Sequence, residues 1–216
     1  MQQHRKQLFE EWAQHYDSII TQNDSTFPFD GYDELLDTVV RLANVKPGLR
    51  VLDLGIGTGN LAVRFLQQGC EVWGVDFSTQ MIAQAQVKLP QAHLVQTTLL
   101  NMLSEWPTGF PSSFDRIVSS YVLHEFDLAT KIALLQQLAY HHLVQGGRII
   151  VGDIAFPTVR EREQAHQEWA KLWDDDEHYW AADETRVACA RAGLQVAYQQ
   201  ISSCGGVFVF TRRRAG

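Results

Sequence analysis

The stretch Val51-Leu52-Asp53-Leu54-Gly55-Ile56-Gly57-Thr58-Gly59-Asn60 decides how this chain folds. Its first four residues read as a buried strand. The glycines that follow at alternate positions carry no Cβ, so the backbone can turn sharply there and approach a ligand closely. Helical periodicity then resumes, and a second apolar strand closes on Val72-Trp73-Gly74-Val75-Asp76, with Asp76 placed 21 residues after Gly55. At that separation a carboxylate at a strand tip accepts both hydroxyls of a ribose, and the whole pattern implies a nucleoside-cofactor site.

The glycine spacing separates two cofactor classes. Dinucleotide folds use Gly-x-Gly-x-x-Gly, in which the last glycine allows close helix packing and the helix N-terminus receives a pyrophosphate. Here the pattern is Gly-x-Gly-x-Gly and position 60 is Asn60. Opened by Asp53 and closed by Asn60-Leu61-Ala62, it resembles motif I of the class I S-adenosylmethionine-dependent methyltransferases. The resemblance implies a glycine loop passing under the amino-acid and ribose parts of the cofactor, with Asp76 on the ribose hydroxyls. It implies a cofactor set of Asp53, Gly55, Gly57, Gly59, Asp76, Phe77, Thr98 and Ser119. A nicotinamide-dependent oxidoreductase is the rival that Asn60 opposes, and a non-catalytic binder of S-adenosylmethionine or its demethylated product would share every one of these residues.

Length and composition agree with one compact α/β domain of 216 residues, 45% hydrophobic and 20% charged. No run of apolar residues is long enough to cross a membrane, and Met1-Gln2-Gln3-His4-Arg5-Lys6 leads into an amphipathic segment without a signal core, so a cytoplasmic protein with no membrane partner is expected. Cys70, Cys189 and Cys204 are odd in number and lack any C-x-x-C spacing, which argues for reduced structural thiols and against zinc. A net charge of -7 supplies no electrostatic reason for a nucleic-acid partner. The one basic cluster, Thr211-Arg212-Arg213-Arg214, reads as a solvated end.

Apolar runs alternate with helical periodicity along the chain, the pattern of a parallel sheet covered on both faces. Strands are predicted at Arg50 to Leu54, Glu71 to Val75, Ala92 to Gln96, Arg116 to Ser120 and Arg148 to Asp153, and a closing hairpin at Leu194 to Ile201 and Gly206 to Thr211. Helices are predicted at Gly59 to Gln68, at Ser78 to Lys88 with Ser78 as N-cap, at Leu128 to Val144, at Val159 to Trp173 and at Asp183 to Ala192, the last ended by Gly193. The fold class expected is a Rossmann-like, seven-stranded, mostly parallel sheet with helices on both faces and a C-terminal antiparallel hairpin strand. Residues 49–216 form this core, and residues 1–48, rich in aromatics such as Phe9, Trp12, Tyr16, Phe27, Phe29 and Tyr32, form a helical cap on it.

The fourth strand ends in Ser119-Ser120-Tyr121-Val122-Leu123-His124-Glu125. Ligands of open α/β sheets bind beyond the carboxyl ends of the strands. The run resembles motifs II and post-II of the same family, where a histidine at this position stands near the transferring methyl. Methyl transfer from a sulfonium asks the protein chiefly to position and desolvate a nucleophile. If that nucleophile arrives protonated, His124 is the candidate base and Glu125 its orienting partner. His166 and His178 lack a second ligand at metal spacing, and no metal is expected. Val144-Gln145-Gly146-Gly147 resembles the helix-to-strand turn of motif III. Thr98 falls where many relatives carry an acid for the adenine amino group.

Substrate class is narrowed by what is missing. There is no N/D-P-P-Y/F after the fourth strand and no Pro-Cys nucleophile, which argues against DNA. Trp169, Trp173, Asp174-Asp175-Asp176-Glu177, His178, Tyr179 and Trp180 read either as a helix end with a solvated acidic run or as a surface for a cationic or aromatic small molecule. Trp12-Ala13-Gln14-His15-Tyr16-Asp17, Gly31-Tyr32-Asp33, the glycine loop and this Trp-rich region together resemble the YrrT-type branch of bacterial methyltransferases. That resemblance brings Tyr16 in as a third candidate catalytic residue. The expectation is methyl transfer to a small-molecule acceptor by a monomer or homodimer.

Overall fold

The computed structural model describes Ile20 and residues 25–213. Helix α1 (Tyr32–Ala43) precedes β1 (Arg50–Leu54), α2 (Ala62–Gln67), β2 (Glu71–Asp76), α3 (Thr79–Lys88), β3 (His93–Gln96), α4 (Leu99–Ser104) and β4 (Phe114–Ser120). A short 3₁₀ turn (Leu123–Glu125) leads to α5 (Leu128–His141), β5 (Leu143–Phe156), α6 (Val159–Glu168), β6 (Trp180–Ala181), α7 (Ala182–Arg191), β7 (Leu194–Gln200) and β8 (Gly205–Arg212). The sheet runs β3-β2-β1-β4-β5-β8-β7. All pairs are parallel except β5 with β8 and β8 with β7, so the expected hairpin inserts its second strand between β5 and β7. The two residues of β6, not anticipated in the sequence, pair with β5 off this path.

Central strands are buried on both faces, which is why they read as continuous apolar runs rather than alternations. One face packs Leu35, Val39, Phe65 and Ile150 together; the other packs Leu52, Leu54, Leu135, Leu138 and Phe208. Of the segment expected as a cap, α1 belongs to the first of these layers, with Leu35 and Val39 lying directly over Gly152 of β5. The motif around Trp12 and Tyr16 lies outside the described residues.

Helix starts follow local chemistry. Ser78, Thr98, Asp127 and Thr158 each accept a hydrogen bond from a backbone N–H of the first turn of α3, α4, α5 and α6. Helix ends depart from expectation. α6 stops at Glu168 rather than Trp173, because Trp169 and Trp173 turn inward and stack on Phe27 with ring centroids 4.9 and 5.7 Å apart. β5 starts at Leu143, earlier than predicted. The double glycine therefore lies inside an irregular stretch of strand, between the Phe114–Leu143 and Arg116–Arg148 pairs, instead of forming a turn before it.

Candidate functional site

The glycine loop sits at the carboxyl ends of β1, β2 and β4. The Ile56 N–H donates to the Val75 carbonyl at 2.9 Å, and the Gly57 N–H donates to Asp76 Oδ2 at 2.9 Å. The other oxygen of Asp76 accepts from the Ser78 N–H at 2.8 Å. A single carboxylate thus ties the loop to the start of α3 and retains lone pairs for a further donor. The glycines are needed for different reasons. At Gly55 (φ 69°) a Cβ would stand 2.4 Å from a Val122 methyl, so any side chain there would push the loop off the tip of β4. At Gly57 (φ 55°) a Cβ would meet nothing within 4 Å, so its bare backbone faces open space, where a ligand can lie against it. Asn60 links α1 to α3, donating to the Tyr32 hydroxyl at 3.4 Å and accepting from Lys88 at 2.7 Å.

Asp53 is 1% exposed, and neither of its carboxylate oxygens has a hydrogen-bond partner. Burial, and then the charge of Asp76, push its pKa up to about 8. A buried acid left in this condition costs stability and is a mark of a binding site. With the open side of Gly57, it shows that these residues fit a nucleoside cofactor with a cationic end. Burial also raises the pKa of Asp76, against the lowering influence of the N–H groups of Ser78, Gly57 and Phe77. Asp76→Ala is expected to weaken cofactor binding by about 1–3 kcal/mol, because it deletes an acceptor and releases the glycine loop together. Calorimetric titration checks this, and unchanged affinity counts against the ribose role.

The other expected cofactor residues are distributed unevenly. Gly59 lies in the loop, and Phe77 follows Asp76 half-buried, its carbonyl accepting from the Gln96 amide at 2.8 Å. Thr98 is exposed beyond β3, and its hydroxyl oxygen caps α4 by accepting from the Asn101 N–H at 3.2 Å. Ser119 is fully buried, and its hydroxyl donates to the Leu54 carbonyl at 2.9 Å, so it joins β4 to β1 rather than presenting a free donor.

His124 stands in the 3₁₀ turn after β4, 7% exposed. Its Nδ1 lies 2.6 Å from Asp153 Oδ1, and its backbone N–H donates to Asp153 Oδ2 at 3.0 Å. Asp153 is fully buried in β5 and also accepts from the Trp180 indole at 3.0 Å and the Ile154 N–H at 2.9 Å. Burial alone would lower the His124 pKa. The charge and hydrogen bond of Asp153, with Glu177 and Glu125 behind them, raise it to about 9. Burial pulls Asp153 the other way, yet the His124 imidazolium holds its carboxyl below the ordinary range. At neutral pH the ring therefore carries its proton. Glu125 and Glu177 are the other carboxylates beside this ring, each with an oxygen 3.9 and 3.7 Å, respectively, from His124 Nε2.

The sequence offered the stretch from Trp169 to Trp180 as a candidate small-molecule surface but not its meeting with His124. Asp153 and Glu177 are far along the chain from His124 and join it only through the sheet and a long loop. The loop is pinned by the His178 N–H donating to the His124 carbonyl at 2.7 Å and by Lys131, buried over the Trp180 ring at 4.2 Å, donating to the His178 carbonyl. Tyr121 takes a left-handed conformation (φ 53°), uncommon for a bulky residue, at the end of β4, where its ring stacks on Tyr32 at 5.2 Å. Backbone strain of this kind clusters at functional sites. Beside the loop, a cavity of about 360 Å³ is lined by Lys131, Arg162, Trp173, Glu177, Tyr179 and Trp180 among others. Tyr16 lies outside the described residues.

A parallel sheet of this order, a glycine loop against a ribose-type acid and a histidine beyond the fourth strand define a class I S-adenosylmethionine-dependent methyltransferase. The family model described as a methyltransferase domain matches residues 51–147. An uncharacterized methyltransferase of Geobacillus kaustophilus is 32% identical over 203 residues, covering 89% of this chain and 90% of its own. The uncharacterized methyltransferase YrrT of Bacillus subtilis is 32% identical over 204 residues, covering 89% and 91%. Among solved structures, magnesium protoporphyrin IX methyltransferase of Synechocystis with bound S-adenosylhomocysteine shares the fold, with TM-score 0.67 and 18% identity over 96% of this chain and 99% of that one. The DhpI–SAM–HEP complex does so with TM-score 0.69 and 18% identity over 95% and 96%. The chain belongs to the class I methyltransferases that use S-adenosylmethionine and, within them, to the YrrT type.

Proposed function

We propose that this protein methylates a small polar molecule held beyond the tips of β4 and β5. The observation that carries the reading is the cavity of about 360 Å³ adjoining Glu177. Its volume suits a small molecule, and its lining mixes cationic, acidic and aromatic groups in place of a basic track for a polyanion. S-adenosylmethionine supplies an electrophilic methyl on a sulfonium. Asp53, Gly55, Gly57, Gly59 and Asp76 hold that cofactor, with Phe77 and Thr98 bordering it and Ser119 fixing the strand tips beneath. His124, Glu125 and Glu177 orient the acceptor and handle its proton. Tyr16 is kept as the third catalytic residue of this reading. No helix among the described residues is long and apolar enough to cross a membrane. With three buried free thiols, we assign the protein to the cytoplasm.

The test is calorimetric titration with S-adenosylmethionine and S-adenosylhomocysteine, followed by measurement of S-adenosylhomocysteine release across a panel of small hydroxy, carboxy, thiol and amino acceptors. Micromolar cofactor binding with turnover of one acceptor class is expected. Binding without release from any panel member points instead to a cofactor-binding protein without catalysis. His124→Gln, which keeps a polar group against Asp153, is expected to lower kcat by about 10²-fold or more and leave cofactor affinity within about twofold. Unchanged kcat removes His124 from the chemistry.

A further inference from the structure

We propose that His124, Glu125 and Glu177 bind one divalent metal ion at the edge of the acceptor site. His124 Nε2 lies 3.9 Å from a Glu125 carboxylate oxygen and 3.7 Å from one of Glu177, and the three atoms fall within 4.8 Å of one another. These separations are too long for hydrogen bonds. They are a little wider than the roughly 3–3.5 Å between neighbouring ligands of an ion bound at about 2.1 Å, a gap that small rotations of two glutamate side chains close.

The orientation of the ring points to the same ligand. The His124 side chain is 8% exposed, and its Nδ1 is held by Asp153 at 2.6 Å, which leaves Nε2 aimed between the two glutamates. A ligating imidazole is typically fixed in this way, with a carboxylate on one nitrogen and the metal on the other. Asp153 is itself fixed by the Trp180 indole and two backbone N–H groups, so the ring has little freedom to turn away. Glu177 is delivered by the loop that the His178 N–H anchors on the His124 carbonyl. The sequence shows no ligand spacing because the third donor comes from a separate element.

One neutral imidazole and two carboxylates balance a double positive charge, the ion taking the place of the Nε2 proton. A mixed nitrogen and oxygen set suits Mn²⁺, Fe²⁺ or Zn²⁺ better than Mg²⁺. Three protein ligands leave positions open for an oxygen of the acceptor, which the ion would orient and polarise. This last role rests on the proposed methyl transfer; the binding does not.

The experiment uses the full chain, purified without a histidine tag and stripped with chelator. Mn²⁺ and Zn²⁺ are titrated separately by calorimetry, and metal content is measured after dialysis. One-to-one binding is expected, with Glu125→Gln and Glu177→Gln each weakening it by about tenfold or more while S-adenosylmethionine affinity stays unchanged. Absence of one-to-one binding by either ion overturns the proposal. So does binding that survives unchanged in both variants, as it would if the exposed His166–Asp175 pair were the source. Methyl transfer by a protein that binds no metal sinks this inference alone. Stoichiometric metal binding without methyl transfer upholds it and counts against the proposed function alone.

Discussion

Asp153→Ala is expected to destabilise the protein by about 3–5 kcal/mol, the range for removing one partner of a buried ion pair. Asp153 is fully buried and accepts from His124 Nδ1, the His124 and Ile154 N–H groups and the Trp180 indole. Its loss leaves a buried imidazolium and several donors without an acceptor, each a separate desolvation cost. The damage also reaches function, since this one carboxylate joins β5, the turn after β4 and β6. Asp153→Asn keeps the shape and one acceptor and should cost less. Urea unfolding of the three proteins decides it. A loss below about 1 kcal/mol for the alanine variant would show that the pair contributes little beyond a surface salt bridge.

Asparagine at position 53 is expected to stabilise the cofactor-free protein while weakening its hold on S-adenosylmethionine. Burial and Asp76 push the Asp53 pKa from 3.8 to about 8, so folding favours the protonated acid. Its contribution is therefore fully present below about pH 4 and is lost as pH rises toward about 8. At pH 7 the folded state bears a cost of about 4 kcal/mol on this account, at 1.36 kcal/mol per pKa unit. An asparagine amide without partners costs about 1–3 kcal/mol of its own, leaving a net gain of about 1–3 kcal/mol. Unfolding at pH 5 and pH 8 should show the variant's advantage widening with pH. A gap that does not change with pH means that Asp53 is not the strained acid described. In the same variant, cofactor affinity should fall by about tenfold or more, because a carboxylate near a cationic ligand is lost. A residue that lowers stability without ligand and raises affinity with it is the expected compromise at a binding site.

Much of the core was legible because its signals are local. An apolar run, alternate glycines and a terminal acid specify strand, loop and strand wherever they occur, and β1 was read to the residue. Ser78 was recognised as an N-cap because capping needs only a side-chain oxygen and the next turn. Elements misread in extent were those whose ends depend on distant partners. α6 ends where Trp169 and Trp173 find Phe27, and β5 begins early because Leu143 pairs with Phe114 across an irregular register.

The site divides in the same way. By itself, the sequence determined that Asp53, the glycines and Asp76 come together, since they lie within one strand-helix-strand unit whose geometry is dictated by backbone chemistry. It also marked His124 as lying at the edge where ligands bind. The charge state of that histidine, its carboxylate partners and the cavity beside it were decided only by the tertiary structure. Asp153 arrives on the neighbouring strand and Glu177 on a loop pinned to the turn from outside, and it is their proximity in a water-poor interior that holds a proton on a buried ring. Such couplings act through space over a few ångströms and leave no periodicity or spacing along the chain.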